Sequence, residues 1–530
     1  MAQTTGQKAA QAPEQDRRRR TLTLVACSLS LFMVLMDSTV VNVALPSIQH
    51  HFQATFSDLQ WIVDAYILVL ASLLLFSGSL GDRVGRRRVF LVGLVIFCTG
   101  SLLCSLSPSL GWLVAFRMLQ AVGGSMLTPN TLAIIANTFQ EPRERAAAIG
   151  VWGGISGLSL GSGPVIGGLL VQAIDWRAIF WVNLPIGAVA VAMALLFIRE
   201  SRAPRPRRLD VPGQGLAILF LAALTYALIE APNHGWASTR SLALFALAFV
   251  AFVAFIAVEH WTKEPLLDMK FFRSASFSGA AAIAVMAFVV LTGFIFLNTL
   301  YLQEVRGYSP LTAGLYTLPA TLMIALIAPI SGQITGRRGP RLPLALAGAF
   351  FLASMAMLLY VTPTSPYTYL FLAYACLGMG SGLVNAPITN AAVSGMPPER
   401  AGAASAVAST ARNVGSVLGV AMLGSITTTH FKALLPARIA LLHLPAEIRA
   451  RILAAAVNGA AAGRAGPAAG ALGAAVQRAV GEAFTTASHA GYRVSALVAT
   501  LLLITAVATT GRVRAGGAAA GSAPRQGARS

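Results

Sequence analysis

Charge is scarce in this sequence. Asp, Glu, Lys and Arg make up 11% of 530 residues, while apolar residues make up 56% and mean hydropathy is +0.70. Soluble domains carry about 25% charge, so this composition excludes one of them. Also missing are the ten-residue alternating segments of a membrane barrel. The four cysteines (Cys27, Cys98, Cys104, Cys376) all lie in apolar stretches, which argues against a disulfide framework or a thiolate metal centre. The histidines fall mainly in loops (His50, His51, His234, His443, His489) without metal spacing. No Walker-type loop occurs, so an ATP-hydrolysing site of that type is not expected. No catalytic constellation, cofactor or metal site is expected.

Long apolar runs are abundant, each near the roughly 20 residues a spanning helix requires. They predict fourteen spans, near 22–44, 59–80, 88–106, 112–136, 147–171, 178–198, 213–231, 241–261, 276–302, 311–334, 342–361, 367–393, 402–429 and 491–511. Basic residues then gather in alternate loops. One set holds Arg17–Arg20, Arg83, Arg86–Arg88, Arg143, Arg145, Arg199, Arg202, Arg205, Arg207, Arg208, Lys263, Lys270, Arg273, Arg337, Arg338, Arg341, Arg400 and Arg512; the short loops of the other hold little beyond Arg177, Arg240 and Arg306. This bias predicts a multi-pass protein of the cell membrane with both termini cytoplasmic. It also accounts for the net charge of +20 without nucleic acid. The lipid bilayer is the partner expected from this bias. Arg17–Arg20 before an apolar run imitates a signal peptide, but the run is long and carries Asp37, which predicts an uncleaved first helix.

Two stretches repeat. Gly124–Pro129 followed by Glu144–Ala148 has a counterpart in Gly382–Pro387 followed by Glu399–Ala403, and Gly78–Gly85 has one in Gly332–Gly339. Both copies fall on the same side of the membrane, so the halves are parallel repeats, with a substrate site expected at their interface. The predicted organisation is a tail at 1–21, a six-helix bundle at 22–198, inserted helices 7 and 8 with their loops at 199–275, a second bundle at 276–511, and a cytoplasmic tail at 512–530. The Ala/Gly-rich segment 430–490 is expected outside the membrane as a cover with short amphipathic helices.

Polar residues inside the spans carry the functional signal, because a charge at the bilayer centre costs about 2.5–3.5 kcal/mol on insertion scales. Asp37 is about 15 residues, roughly 22 Å, from the inner edge. Arg117 is about five residues, roughly 8 Å, from the outer one. Asp64 lies about a turn and a half below the outer surface. If helices 1, 2 and 4 are neighbours, these three share the outer half of one bundle. Asp37 is then either a fixed partner of Arg117 or a titrating site, and the second reading is preferred. Arg117 is alternatively a snorkelling residue, and Asp64 alternatively a hydrated mouth residue.

The loop Gly78-Ser79-Leu80-Gly81-Asp82-Arg83-Val84-Gly85-Arg86-Arg87 resembles the loop signature of the major facilitator superfamily. That resemblance implies a latch at Gly78, Asp82, Arg83, Gly85, Arg86 and Arg87, which locks the cytoplasmic side in the outward-facing state. The second copy has Gly336 where the aspartate would be, so little latch function is expected there. Gly163, Pro164, Gly167 and Gly168 are similar to the family's antiporter signature, which marks exporters. On residues alone the same run reads as close helix packing. Arg117 matches an arginine that the family links to proton coupling, although Ala121 replaces a usual glycine. Leu35–Pro46, Glu230–Trp236 and Ala411–Gly419 resemble the fourteen-helix drug:proton antiporter branch.

The resemblance implies an all-α integral membrane protein with the major facilitator fold, two six-helix bundles plus two inserted central helices. It implies a monomer whose partners are a small-molecule substrate and protons: proton-coupled export of amphipathic, cationic or aromatic drugs, with Asp37 as the main proton site, Asp64 accessory and Arg117 tuning Asp37. Phe294, Asn298, Tyr301 and Arg412 are candidates for lining the substrate path. The alternatives are a dedicated exporter of one endogenous product, such as a self-made antibiotic or a lipid, and a non-transporting membrane sensor.

Overall fold

The structure, a computed structural model, describes residues 2–203, 210–262, 265, 267–394, 398–457 and 470–509. Arg205, Arg207, Arg208, Lys263, Arg512 and the tail 512–530 lie outside the described residues. Among the described residues there is helix and no strand, and fourteen helices are long and apolar enough to cross a membrane. Hydrogen bonding within each helix is what permits the backbone to lie in hydrocarbon.

The first six are α1 (Ala2–Phe52), α2 (Phe56–Val84), α3 (Arg86–Ser105), α4 (Leu110–Thr138), α5 (Pro142–Ala173) and α6, which runs as Ala178–Trp181 and Asn183–Phe197. Then come α7 (Val211–His234) and α8 (Thr239–Trp261). The last six are α9 (Ala275–Leu300, ending in a π turn Tyr301–Val305), α10 (Pro310–Tyr316 and Leu318–Arg338), α11 (Arg341–Leu358), α12 (Tyr367–Gly382 and Asn385–Val393), α13 (Pro398–Ala440) and α14 (Gly470–Thr509). The starts follow local chemistry. Thr55 and Asp58 form a capping box on α2, and Ser238, Ser274 and Ser309 accept the first free amides of α8, α9 and α10.

The 430–490 segment differs from its sequence reading. Much of it continues α13 and α14 beyond the predicted spans, with a short helix, Ala446–Val457, between them. Alanine is the strongest helix former, so an Ala-rich stretch outside the membrane extends a helix rather than ending it. Leu435 and Ile439 of α13 meet Val476, Ala479 and Ala483 of α14, and Ile452 and Leu453 pack on that cluster.

The two halves meet mainly at the end away from the termini, here called the distal end. Gln303 donates to Val43 O (2.9 Å), His50 lies 3.3 Å from Glu304, and Gln60 donates to Val420 O (3.0 Å) and Ala421 O (3.1 Å). Phe56 packs edge-on against Phe296 at 5.3 Å. Toward the terminal end α5 and α10 part. Among the described residues, a Cβ built on Gly150 or Gly154 of α5, or on Gly332 or Gly336 of α10, would meet nothing within 4 Å. The molecule is therefore closed distally and open toward its termini. Helices α7 and α8 pack on each other, and α7 straddles the seam between α2 and α13.

Candidate functional site

Asp37 projects from α1 into a buried pocket between α3, α4 and α6. Its carboxylate is fully buried, as is the guanidinium of Arg117. Arg117 Nη1 donates to Asp37 Oδ2 at 2.5 Å and to Gln120 Oε1 at 2.8 Å. Gln120 Nε2 and Asn183 Nδ2 each donate to Asp37 Oδ1 at 2.8 Å. Asn183 also donates to Ser101 Oγ (3.0 Å), whose hydroxyl donates to Phe180 O (2.8 Å). The guanidinium lies over the Tyr66 ring, 4.0 Å from its centroid, and 6.0 Å from that of Phe180. A buried ion pair needs such additional partners to offset the desolvation of both charges. The network stops short of complete satisfaction: Arg117 Nε and Asn183 Oδ1 have no partner among the described residues.

Asp37 and Arg117 are brought together, as the sequence suggested. Gln120 and Asn183 were missed, although both carried a signal. Gln120 stands one helical turn after Arg117, and Asn183 is an amide inside an apolar span, where polar groups need partners. Asn183 opens the second segment of α6, directly after Val182.

Asp64 does not join this group. It is fully buried rather than set in a hydrated mouth, and neither carboxylate oxygen has a partner among the described residues. Helix phase explains the separation. Tyr66 turns toward Val34 and Arg117, and two residues advance a helix by about 200°. Gln60, Asp64 and Leu68 thus form one stripe on the other side of α2, where Gln60 bonds to α13 and Leu68 packs with Leu221 of α7 and Val417 of α13.

The glycines of α5 touch the flanks of Asp37. A Cβ on Gly163 would strike the Thr39 hydroxyl and come 3.2 Å from Met36 O; one on Gly167 would lie 2.7 Å from Val40 Cγ2. On its other side α5 meets the second half: a Cβ on Gly168 would be 2.6 Å from Pro310 O, and one on Gly314 would strike Pro164 O. Backbone meets backbone on the α10 side of this helix, while Thr39 and Val40 side chains close the α1 side.

At the terminal end Asp82 Oδ1 accepts from Arg86 Nε (3.0 Å) and Nη2 (2.8 Å). Arg87 donates to Ala194 O (3.2 Å) and Leu195 O (2.6 Å) at the end of α6, where the helix dipole favours a cation. Gly85 sits at φ +124°, a conformation that favours glycine. Glu200, which the sequence reading passed over, accepts the Arg87 and Arg88 amides at 3.1 and 3.2 Å and so caps α3. Gly78 lies against Pro129 of α4, and Arg83 stays at the last turn of α2.

Of the residues suggested to line a path, Phe294 and Asn298 face α12. The Phe294 ring is 5.4 Å from that of Tyr374, whose hydroxyl donates to Asn298 Oδ1 at 2.5 Å. Tyr301 donates to Thr362 O (2.7 Å), and Arg412 donates to Ser409 Oγ (2.7 Å) on its own helix. A cavity of about 560 Å³ opens far from Asp37, at the distal end, between the 361–364 turn and Arg438, Arg478, Glu482 and His489. Among the described residues, no cluster of His, Cys, Asp or Glu has the makings of a metal site.

Comparison with known proteins agrees with this architecture. A sequence model described as Major Facilitator Superfamily matches residues 27–420. The Multidrug resistance protein Stp of Mycobacterium tuberculosis is 37% identical over 418 residues, covering 79% of this chain and 78% of its own. The Tetracenomycin C resistance and export protein of Streptomyces glaucescens is 36% identical over 424 residues, covering 80% and 79%. Among solved structures, a bacterial homolog of the human lysosomal transporter Spinster, inward-facing and unoccupied, superposes with a TM-score of 0.62 at 19% identity, covering 93% of this chain and 99% of its own. That likeness speaks to the fold alone.

Proposed function

The chain belongs to the Major Facilitator Superfamily, and on that premise we propose that it exports amphipathic, cationic or aromatic small molecules in exchange for protons. Export of drugs accords with relatives whose names describe multidrug resistance and antibiotic export. The chain is a multi-pass membrane protein. Arginines at the terminal end, among them Arg83, Arg86–Arg88, Arg199, Arg202, Arg337, Arg338 and Arg341, support placing that end in the cytoplasm. The conformation described is then inward-open, able to receive substrate from inside. The 22–198 and 276–511 bundles move against each other, and the protein works as a monomer without a cofactor, on the proton gradient alone.

One observation carries the reading: the buried Asp37–Arg117 pair sits against the glycine helix that joins the two halves. A proton on Asp37 cancels its charge and leaves Arg117 without its counter-ion. The α1–α4 contact must then rearrange, because an unpaired buried charge is costly. Met36, Thr39 and Val40 transmit that rearrangement to Gly163 and Gly167, and Gly168 and Pro164 pass it to Pro310 and Gly314 across the seam. Asp37 is the main proton site, and Arg117, Gln120 and Asn183 set the cost of its protonation. With the cytoplasmic side open, Asp82 is bonded to Arg86 within its own loop; the latch made by Gly78, Asp82, Arg83, Gly85, Arg86 and Arg87 engages when that side closes. Phe294, Asn298 and Tyr301, packed inside the second bundle, back the path from behind rather than line it, and Arg412 remains the candidate for its second wall. Each proton moved down a 100 mV potential releases about 2.3 kcal/mol.

A narrower reading, export of a single endogenous product, is favoured by the relative named for tetracenomycin C alone. Both readings face one experiment. The purified protein in liposomes with an imposed pH gradient is offered a panel of fluorescent cations and aromatic antibiotics. Substrate-dependent proton flux for several compounds supports the broad reading, and flux for one supports the narrow reading. No flux for any compound rejects both and leaves the non-transporting sensor.

A further inference from the structure

The cavity at the distal end takes no part in the proton path. Its walls come from the second half alone: the π turn Tyr301–Val305, the 361–364 turn between α11 and α12, and the distal lengths of α13 and α14. At about 560 Å³ it has the size of a small-molecule site, which runs from about 300 to 1,000 Å³. Val305, Val361 and Pro363 give it apolar surface, and Thr364, Gln477 and Thr486 give it polar surface. Its fixed charges are one-sided. Arg438 Nη1 donates to Glu482 Oε2 at 2.9 Å, so those two cancel. Arg478, exposed and one helical turn before Glu482, makes no ion pair among the described residues; its Nε donates only to Ala474 O of its own helix (3.4 Å). The cavity thus sets a guanidinium beside apolar surface with no carboxylate left over. The planar fork of a guanidinium matches the paired oxygens of an organic acid.

The walls are tied to the clasp between the halves. His489 Nε2 donates to Val361 O (2.9 Å), which joins α14 to the 361–364 turn. Tyr301 donates to Thr362 O (2.7 Å) and Arg306 Nη1 to Ser365 O (2.6 Å), which joins that turn to both ends of the π turn. A Cβ on Gly481 of α14 would lie 3.2 Å from Val305 Cγ1, so helix and π turn are in close contact. Gln303 and Glu304, the two residues before Val305, are the ones that hold α1 through Val43 O and His50. Turns of this π type are frequent at functional sites. Parting the halves distally must release Gln303 and Glu304, and with them the segment on which Val305 stands.

We propose that this cavity binds an amphipathic organic anion from the distal side, and that its occupant holds the distal side closed. The acidic group lies on Arg478, and the apolar body lies against Val305, Val361 and Pro363. A ligand shifts a conformational equilibrium by its preference for one state, and this cavity takes its shape from the closed one. The site is read from geometry; its effect on export rests on the antiporter reading, in which the distal side opens to release substrate.

The test uses the full chain in lipid nanodiscs and two probes with one ring system and opposite fixed charge, 2-naphthalenesulfonate and 2-naphthyltrimethylammonium. Calorimetric titration, with empty nanodiscs as the blank, should show saturable binding of the sulfonate and about tenfold weaker binding of the ammonium. Arg478→Gln should weaken sulfonate binding about tenfold. Ala474→Trp, which fills the cavity from an exposed position, should abolish it. Absence of saturable binding, equal affinity for the two probes, or sulfonate binding that either substitution leaves unchanged overturns the site. Spin labels at Gln53 and His430, exposed positions on the first half and on α13, report distal closure. Saturating sulfonate should cut the share of the longer label-to-label distance by about half, and an unchanged share overturns the hold on the distal side. Both readouts proceed without transport, so absence of substrate-driven proton flux in liposomes is the separate failure of the antiporter reading.

Discussion

The first and fourth helices of each half face one another across similarly buried interiors, and they are furnished differently. Between α1 and α4 stands a buried ion pair, Asp37 with Arg117, supported by two amides and a hydroxyl. Between α9 and α12 stands a neutral contact, Tyr374 with Asn298, beside the Phe294 ring. A neutral hydrogen bond holds helices together in lipid at modest gain, averaging about 0.6 kcal/mol. An ion pair adds a cost of desolvation that better packing would avoid. Among the described residues that pair stands in one half alone, which points to a purpose other than cohesion. In the proposed mechanism the first half answers to protons, and the second gives it something to move against.

The comparison is broken most severely at Asp37. Asp37→Asn leaves Arg117 buried without a counter-ion, and removal of one member of such a pair costs about 3–5 kcal/mol. We expect loss of substrate-driven proton flux in liposomes and a lower melting temperature in the same preparation. Wild-type flux in this variant would remove Asp37 from the proton path. Arg117→Lys should fail to restore coupling, because an ammonium cannot reproduce the planar contact with Asp37, Gln120 and the Tyr66 face.

Next come the glycines of α5. Gly163→Ala and Gly167→Ala drive a methyl into Thr39 and Val40, an overpacking that costs about 1–3 kcal/mol. Transport should slow markedly while purified protein still melts cooperatively. Unchanged rates would mean that α5 does not carry motion between the halves. On the neutral side Tyr374→Phe should lower stability by about 0.5–1.5 kcal/mol, seen as a small shift in melting. The proton-to-substrate ratio should stay as in wild type, and a changed ratio would show that the second half also couples.

The smallest effect is expected where the loop motif repeats. Gly81→Ala in the first copy collides with the Asn130 side chain, and Gly85→Ala is strained at φ +124°. Gly336→Ala in the second copy meets open space among the described residues. It should change stability by no more than about 0.5 kcal/mol and leave export rates alone. A defect as large as that of Gly81→Ala would show that the second copy retains latch function.

Much of the fold was readable because lipid imposes it. Fourteen apolar runs give fourteen helices, since no other element satisfies its backbone there. The Asp37–Arg117 contact was readable for a related reason: two costly charges at similar depth are expected to find each other. The side to which Asp64 points was not readable, because depth is legible in a sequence and facing is not, until the neighbours of each face are known. The sequence says that Asp64 and Tyr66 are near in height; only packing shows that α4 lies on one side of α2 and α7 with α13 on the other. Glu200 escaped notice because its role is local geometry, the capping of a helix more than a hundred residues earlier. The distal continuation of α13 and α14 escaped because a drop in hydropathy marks the end of the membrane, which a helix of good formers does not respect.

The meeting of α5 with α10 is main chain against main chain, at Gly168 with Pro310 and at Gly314 with Pro164. A bearing built this way has no side chains to re-fit when its surroundings change. Residues facing the solute can be exchanged without retuning the stroke that moves it, so the range of cargo and the machinery of movement are free to evolve on separate schedules.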